Sequence, residues 1–173
     1  MRFTHLVKIA AVAAAVSVVP GQLHAQWGVG AFVGREFDEA DNWVIFGAHA
    51  TYAVKNSPVV VNPRFTYHSY GSGSSSLQVD VNVLYDFALA NPGLIRPYLG
   101  VGGGLVRLSE SSDFCDADCS QSKLVANFLA GFKLAFGSGD SRLMPFVDTE
   151  YSFAKQFTNT YHLSIGFTYA LTR

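Results

Sequence analysis

The sequence is short of charged residues. Asp, Glu, Lys and Arg together make up 14% of its 173 residues, against about 25% in a typical soluble protein. A soluble barrel of this size needs charged side chains over its whole exterior, and this chain has too few to supply them. The shortage therefore disfavours an exterior that faces water.

Long apolar runs are also scarce, and one of them lies close to the N-terminus. Residues 9–19 form an apolar run of 11 residues after Arg2 and Lys8. A membrane-spanning helix needs about 20 such residues, whereas a basic start, a short apolar run and a polar exit are typical of a secretory signal. We expect residues 1–25 to be a cleaved signal peptide and residues 26–173 to form one domain.

Basic residues are too few to indicate a nucleic-acid surface. Subtracting Arg2 and Lys8 from the 12 basic residues leaves 10 against 13 acidic residues, a net charge of −3. Nucleic-acid-binding domains carry a basic patch or stripe, so no nucleic-acid partner is expected. We expect no cofactor either.

Cysteine is limited to Cys115 and Cys119, which are four positions apart. In an exported chain, two nearby cysteines predict a local disulfide that closes a loop. A metal site is the alternative, but two thiols without a nearby histidine would be an incomplete zinc shell.

Residues 77–89 show a strict alternation. Every odd position from Leu77 to Leu89 is apolar or aromatic, and four of the six even positions are polar. This period of two is typical of a strand with one apolar and one polar face. Similar runs divide the mature chain into eight predicted strands, at about 26–36, 43–55, 59–70, 77–89, 95–109, 123–136, 142–155 and 161–171.

The connections between these runs alternate in kind. Residues 55–58, 90–94 and 137–141 carry Asn-Ser-Pro, Asn-Pro-Gly and Gly-Ser-Gly-Asp turn residues, which suit short periplasmic turns. The other four connections, of six, six, about thirteen and five residues, are then external. The pattern predicts an all-β fold, an eight-stranded antiparallel up-and-down transmembrane β-barrel in the bacterial outer membrane.

The two faces of the predicted strands differ in charge. Apolar side chains such as Phe65, Phe128 and Ile165 are predicted to face lipid, and six aromatic residues to lie in interface girdles. The girdle residues are Trp27, Trp43, Tyr52, Tyr70, Tyr98 and Tyr151. The opposite faces predict a packed polar lumen with a charge network of Arg64, Asp80, Asp86, Arg96, Lys133, Asp148 and Glu150.

Three glycines are expected on the inward face of the fifth strand. Gly100, Gly102 and Gly104 alternate there, and we expect the gaps they leave to accept long Arg, Lys and Glu side chains from across the lumen. Eight strands enclose only enough room for side chains, so the interior should be a packed core rather than an open channel.

Two segments resemble a known family. Residues 96–105, RPYLGVGGGL, and residues 145–151, PFVDTEY, are similar to the bacterial outer-membrane β-barrel family that includes the small OmpA-like and OmpX-like proteins. The resemblance implies an eight-stranded barrel inserted by the outer-membrane assembly machinery, in contact with outer-membrane lipid and lipopolysaccharide. Adhesion or immune evasion, known for some relatives, is implied only as a further role.

A catalytic hypothesis rests on His162, Ser164 and Glu150, because a histidine, a serine and a carboxylate can form an esterase triad. Small outer-membrane barrels that modify lipid A make this chemistry relevant. The deacylases among these barrels present their triad toward lipid, however, whereas the alternation predicts that His162 and Ser164 point inward. Their His-x-Ser-Asn motif also has Ile165 in place of Asn here. We therefore favour structural lumen residues and no catalytic residue.

The third external connection carries four carboxylates, which are Glu110, Asp113, Asp116 and Asp118. Oxygen ligands at this density are able to hold Ca²⁺ or Mg²⁺, but no complete calcium-loop signature is present. A solvated acidic loop is the simpler interpretation, and we predict no resident metal.

The favoured function is a non-enzymatic envelope protein with a structural or surface-interaction role. Three alternatives stay open at this point. They are a lipid A-modifying enzyme, a narrow pore gated by the lumen charges, and a soluble lipocalin-like carrier in which the apolar face would point inward.

Overall fold

In the computed structural model, the chain forms eight β-strands that follow one another around a single sheet. The structure describes residues 26–37, 42–70, 74–87, 95–109, 120–134, 142–154 and 159–171. The strands are β1 (Gln26–Phe37), β2 (Asn42–Ala53), β3 (Val59–Ser69), β4 (Ser75–Asp86), β5 (Ile95–Ser109), β6 (Ser120–Leu134), β7 (Leu143–Ala154) and β8 (Thr160–Ala170).

Several predicted features lie outside the described residues. They are the signal peptide at residues 1–25, both cysteines, Cys115 and Cys119, and the acidic group Glu110, Asp113, Asp116 and Asp118. The expected disulfide therefore stays a prediction, and the cation-binding alternative for the acidic loop stays untested.

The sheet closes on itself, which confirms the predicted fold class. Each strand pairs antiparallel with its sequence neighbour, and β1 also pairs with β8, with Val33 opposite Ile165. Closure leaves no open edge along the wall of the barrel. The described residues contain no helix long and apolar enough to cross a membrane.

The two ends of the barrel are distinguished by their connections. The outer end carries the connections β1–β2, β3–β4, β5–β6 and β7–β8, which are the four predicted to be external. The inner end carries the other three. One inner turn joins β2 to β3. In it, Val54 donates a backbone hydrogen bond to Val59 at 3.0 Å, and Asn56 has a φ of 56°. Asparagine tolerates this left-handed conformation, as the Asn-Ser-Pro signal predicts.

The outer wall is apolar over most of its height, and Arg35 and Arg107 are exposed charged residues at its outer end. Its exposed side chains include Val33, Phe46, Phe65, Val83, Val101, Phe128, Phe153, Ile165 and Phe167. Polar and charged side chains alternate with them and are buried inside the barrel. An exposed apolar surface of this extent is typical of a protein in contact with lipid.

Aromatic residues mark both ends of the outer wall. The tilted rings of Trp27 and Tyr52 pack at the inner end with centroids 4.8 Å apart, and Phe37 and Tyr161 pair at the outer end at 6.0 Å. The girdle prediction was wrong for Tyr98, which is buried in the interior, and for Tyr70, whose hydroxyl faces Glu36 and Ser76 in the lumen. The reason is parity, since Tyr98 shares the inward face of β5 with the alternating glycines.

Those glycines make room for adjacent strands rather than for side chains from the far wall. A Cβ at Gly102 would lie 1.9 Å from Asn82 Oδ1, and one at Gly104 would lie 2.6 Å from Asp80 Cβ. Asn82 and Asp80 are their direct partners on β4. The expectation that long cationic side chains fill these gaps is replaced by close packing of β4 on β5.

Candidate functional site

The barrel interior holds the buried polar groups of the protein and is therefore the candidate site. Period-two alternation sends every second side chain of each strand inward. Among the described residues, the buried polar and charged ones are Glu36, His49, Thr51, Asn62, Arg64, Thr66, His68, Ser76, Gln78, Asp80, Asn82, Asn127, Lys133, Asp148, Glu150, Ser152, His162, Ser164 and Thr168.

Arg64 is the centre of the predicted charge network. Its Nη1 lies 3.0 Å from Asp148 Oδ2 and 3.3 Å from Glu150 Oε2, and its Nη2 donates to Ser164 Oγ at 3.2 Å. The guanidinium also covers the ring of Phe32, with Cζ 4.1 Å from the centroid. One cation thus faces two carboxylates of β7, and buried carboxylates require such pairing.

Asp80 joins this group through amides instead of a direct ion pair. Gln78 Nε2 donates to Glu150 at 3.1 Å and to Asp80 at 3.4 Å, and Asn82 donates to Asp80 at 3.5 Å. Ser152 Oγ donates to Glu150 at 3.1 Å. These bonds extend one continuous network over the middle of the lumen, as expected for buried polar groups.

The other three predicted network residues form a separate group near the inner end. Lys133 Nζ lies 3.3 Å from Asp86 Oδ2, and Arg96 Nε lies 3.8 Å from Asp86 Oδ1. Tyr98 separates this group from Arg64, because its hydroxyl donates to Asp148 at 3.0 Å and its ring lies 5.2 Å from Lys133 Nζ. The single predicted network is therefore two groups with an aromatic ring between them.

Apolar residues also face inward, which the sequence interpretation of a polar lumen missed. Val60, Leu84, Tyr98 and Leu129 pack together as a buried cluster. The sequence does contain one indication of this cluster. Leu84 is apolar, although it occupies an even, inward position of the alternating segment 77–89. A cavity of about 20 Å³ lies beside this cluster among His49, Arg64, Tyr98 and Phe146, which is room for about one water molecule.

The residues of the catalytic hypothesis lie on one inward face but do not bond to one another. Ser164 Oγ donates to Asp148 and accepts from Arg64. His162 Nε2 instead lies 3.2 Å from Thr160 Oγ1. Both side chains are buried in the lumen, so the serine is linked to the charge network and the histidine is not its general base in this geometry.

A second cluster, which the sequence interpretation did not assemble, lies at the outer end. Glu36, His68 and His162 come from β1, β3 and β8, and Tyr70 directly follows β3. The Tyr70 hydroxyl is 3.1 Å from Ser76 Oγ and 3.5 Å from Glu36 Oε2. Trp43 packs edge-on against Tyr70 at 5.5 Å. Parity would have placed Glu36 inward, since it alternates with Gly34 and Phe32 on β1.

Solved structures of bacterial outer-membrane proteins share this architecture. Neisserial surface protein A aligns with a TM-score of 0.66 and 14% identity, over 84% of this chain and 96% of that protein. The N-terminal β-barrel domain of Pseudomonas aeruginosa OprF aligns with a TM-score of 0.56 and 17% identity, over 84% and 99%. The outer-membrane enzyme PagL aligns with a TM-score of 0.50 and 17% identity, over 82% and 98%.

No protein-family model matches the chain, and no curated protein is similar enough to match it. At such low identities a structural likeness carries the fold and not the activity. The chain therefore has the closed eight-stranded barrel fold of bacterial outer-membrane proteins.

Proposed function

We propose that this protein is an integral protein of the bacterial outer membrane with a structural role in the envelope, exported through a cleaved signal peptide. The observation that carries the proposal is the division of its two faces, with an apolar outer wall and an ion-paired interior. A lipocalin-like carrier needs the opposite arrangement. Lipid, lipopolysaccharide and the assembly machinery are the expected partners, in keeping with the OmpA-like and OmpX-like resemblance.

The packed lumen supports a structural barrel over a conduit. Arg64 and its carboxylates cross the middle, and the apolar cluster around Tyr98 and Leu129 lies below them. Opening an ion path would require both groups to separate, and separating a buried ion pair leaves uncompensated charge. We therefore propose a static plug rather than a gate.

A surface-interaction role is the second candidate, and the long β5–β6 ribbon favours it. Both strands have 15 residues, and β6 begins at Ser120, three residues before the predicted start. Leu124 is 76% exposed on this ribbon. The outer end of this ribbon is where we expect a surface partner to make contact.

An enzymatic role has weaker support in the site. One structural neighbour is an outer-membrane enzyme, and lipid A modification stays the enzymatic alternative. The hydroxyl of Ser164 is bonded to Asp148 and Arg64 inside the barrel, where an acyl chain on the lipid side does not reach it. We propose a non-enzymatic protein.

The experiment that tests the proposal combines localisation with conductance. The chain is expressed in a Gram-negative host, and outer-membrane fractions are run on detergent gels with and without boiling. We expect outer-membrane recovery and a heat-dependent shift in migration. Equal migration of both samples, with the protein in the soluble fraction, would favour the carrier.

Conductance separates the plug from the pore. Purified protein is inserted into planar bilayers as wild type and as Lys133→Ala, the variant that removes the cation beside Asp86. We expect no discrete current steps from either protein. Steps in the wild type that change in amplitude in Lys133→Ala would show a gated pore.

A further inference from the structure

Three metal-ligating side chains converge at the outer end of the lumen. One ligand atom from each of Glu36, His68 and His162 lies within 4.8 Å of the other two. The relative exposures of the three residues are 2%, 2% and 3%. The cluster is distinct from the Arg64 network, since its residues come from β1, β3 and β8 near the outer end of each strand.

The carboxylate of Glu36 is paired with imidazoles. His68 Nδ1 is in direct contact with Glu36 Oε2, and His162 Nε2 lies 3.8 Å from the same oxygen. The imidazole rings of the two histidines meet edge-on with centroids 5.1 Å apart. Histidine balances a carboxylate only when it is protonated, so neutral rings would leave this buried charge to another cation.

His68 supplies a second, independent indication of a ligand. Its Nε2 is buried and has no hydrogen-bond partner among the described residues, although buried side-chain nitrogens are almost always bonded. With Nδ1 directed at Glu36, Nε2 carries a lone pair or an N–H group that bonds to none of the described residues. A bound cation would use the Nε2 lone pair directly. Alternatively, it would bind Nδ1 beside Glu36, and the Nε2–H group would then point outside the ligand shell.

Two imidazoles and one carboxylate match the preferences of a borderline divalent transition metal. Zinc binds His nitrogen and Glu oxygen at about 2.0–2.2 Å, and three protein ligands with one open position are a common zinc arrangement. Such bond lengths place neighbouring ligand atoms roughly 3.3 Å apart, so modest side-chain rotation closes the present spacing. Calcium and magnesium prefer all-oxygen shells, which this cluster does not provide.

We propose that Glu36, His68 and His162 form a divalent transition-metal site, with zinc as its representative ion, in the outer end of the barrel. The Tyr70 hydroxyl, 3.5 Å from Glu36 Oε2, supports the carboxylate from outside the shell. The metal would tie β1, β3 and β8 together beneath the outer connections. This site does not depend on the acidic residues of the third connection.

The test uses the folded mature chain, without a histidine tag and stripped of metal with a chelator. Isothermal titration with ZnCl₂ is expected to show one equivalent binding with micromolar or tighter affinity, and elemental analysis after gel filtration to show one zinc per chain. Cobalt(II) is expected to give visible d–d absorption without the intense near-ultraviolet band of thiolate ligation. These measurements are made on the wild-type chain, so they do not depend on the folding of any variant.

Variants assign the ligands. His68→Gln and His162→Gln are expected to weaken zinc binding by more than the roughly 10- to 100-fold typical of losing an outer-shell partner. His49→Gln is the matched control, because His49 is also a buried lumen histidine but bonds Thr168 Oγ1 at 2.9 Å. It should bind zinc like the wild type, and the heat-dependent gel shift confirms the fold of each variant.

Several outcomes would overturn the proposal. Folded wild-type protein that binds no zinc at millimolar concentration would show a histidine–carboxylate pair and nothing more. Wild-type affinity in the folded double variant His68→Gln/His162→Gln would exclude these histidines as ligands. A thiolate band in the cobalt spectrum would assign the metal to Cys115 and Cys119.

Discussion

Arg64 on β3 and Asp148 on β7 meet across the barrel, with Nη1 3.0 Å from Oδ2. Their strands are four positions apart in a closed sheet of eight, so they form opposite walls. The same guanidinium lies 3.3 Å from Glu150. The ion pair therefore spans the lumen and joins strands that share no backbone hydrogen bond.

Removing Arg64 should destabilise the barrel strongly. In Arg64→Met the carboxylates of Asp148 and Glu150 stay buried without their cation, and breaking a buried pair costs about 3–5 kcal/mol. The free energy of unfolding can be measured by urea titration in lipid vesicles, followed by tryptophan fluorescence. Arg96→Met is the matched control, because Arg96 is 41% exposed at the inner end and its loss should cost less than about 1 kcal/mol. Equal costs for the two variants would contradict a central role for Arg64.

Two adjacent glycines on β5 should be destabilised to different degrees by an added methyl group. In Gly104→Ala the new Cβ would lie 2.1 Å from the Val79 carbonyl oxygen, and such overpacking costs about 1–3 kcal/mol. Gly103 faces outward, and its Cβ would meet the Val125 carbonyl oxygen at 3.0 Å. Gly103→Ala should therefore be the milder change in the same urea titration. A reversed order would show that the faces of β5 are interchanged.

A charge on the outer wall should report the depth of the membrane. Val101 is 54% exposed near the middle of β5, and a lysine facing lipid at the bilayer midplane costs about 2–4 kcal/mol. Leu124→Lys, at the outer end of β6, should cost only about 0–1 kcal/mol. If Val101→Lys changes the free energy of unfolding by less than about 0.5 kcal/mol, that position faces water.

Lipid A should be unchanged by this protein. The Ser164 hydroxyl is bonded to Asp148 and Arg64 within the lumen, so it is not placed to attack an acyl ester in the membrane. Mass spectra of lipid A from a Gram-negative host with and without the protein should coincide. Loss of one acyl chain with the wild type, and its retention with Ser164→Ala, would instead identify an enzyme.

Much of the fold followed from local pattern. The alternation in segments such as 77–89 predicted eight strands and the face of each, because side chains of a strand point to opposite sides in turn. It also placed Asp148, Ser164 and His162 inward, where the structure has them. Tyr98 was misassigned because its aromatic character suggested the interface, while its parity on β5 required the lumen.

Contacts inside the lumen were not predictable in the same way. The sequence places Glu36, His68 and His162 on inward faces, but they are separated by 32 and 94 positions along the chain. Their convergence depends on the register of each strand pair and on closure of β1 against β8. The split of the charged residues into two groups around Tyr98 depends on the same geometry.

The sequence by itself thus determined the strands, their count and the division into an apolar and a polar face, because these depend on neighbouring residues and a period of two. The tertiary structure alone decided which inward side chains meet, such as Arg64 with Asp148 and Glu36 with His68. The physical reason is that alternation sets the side of the sheet on which a residue lies. The stagger and closure of the strands set its partners across the lumen.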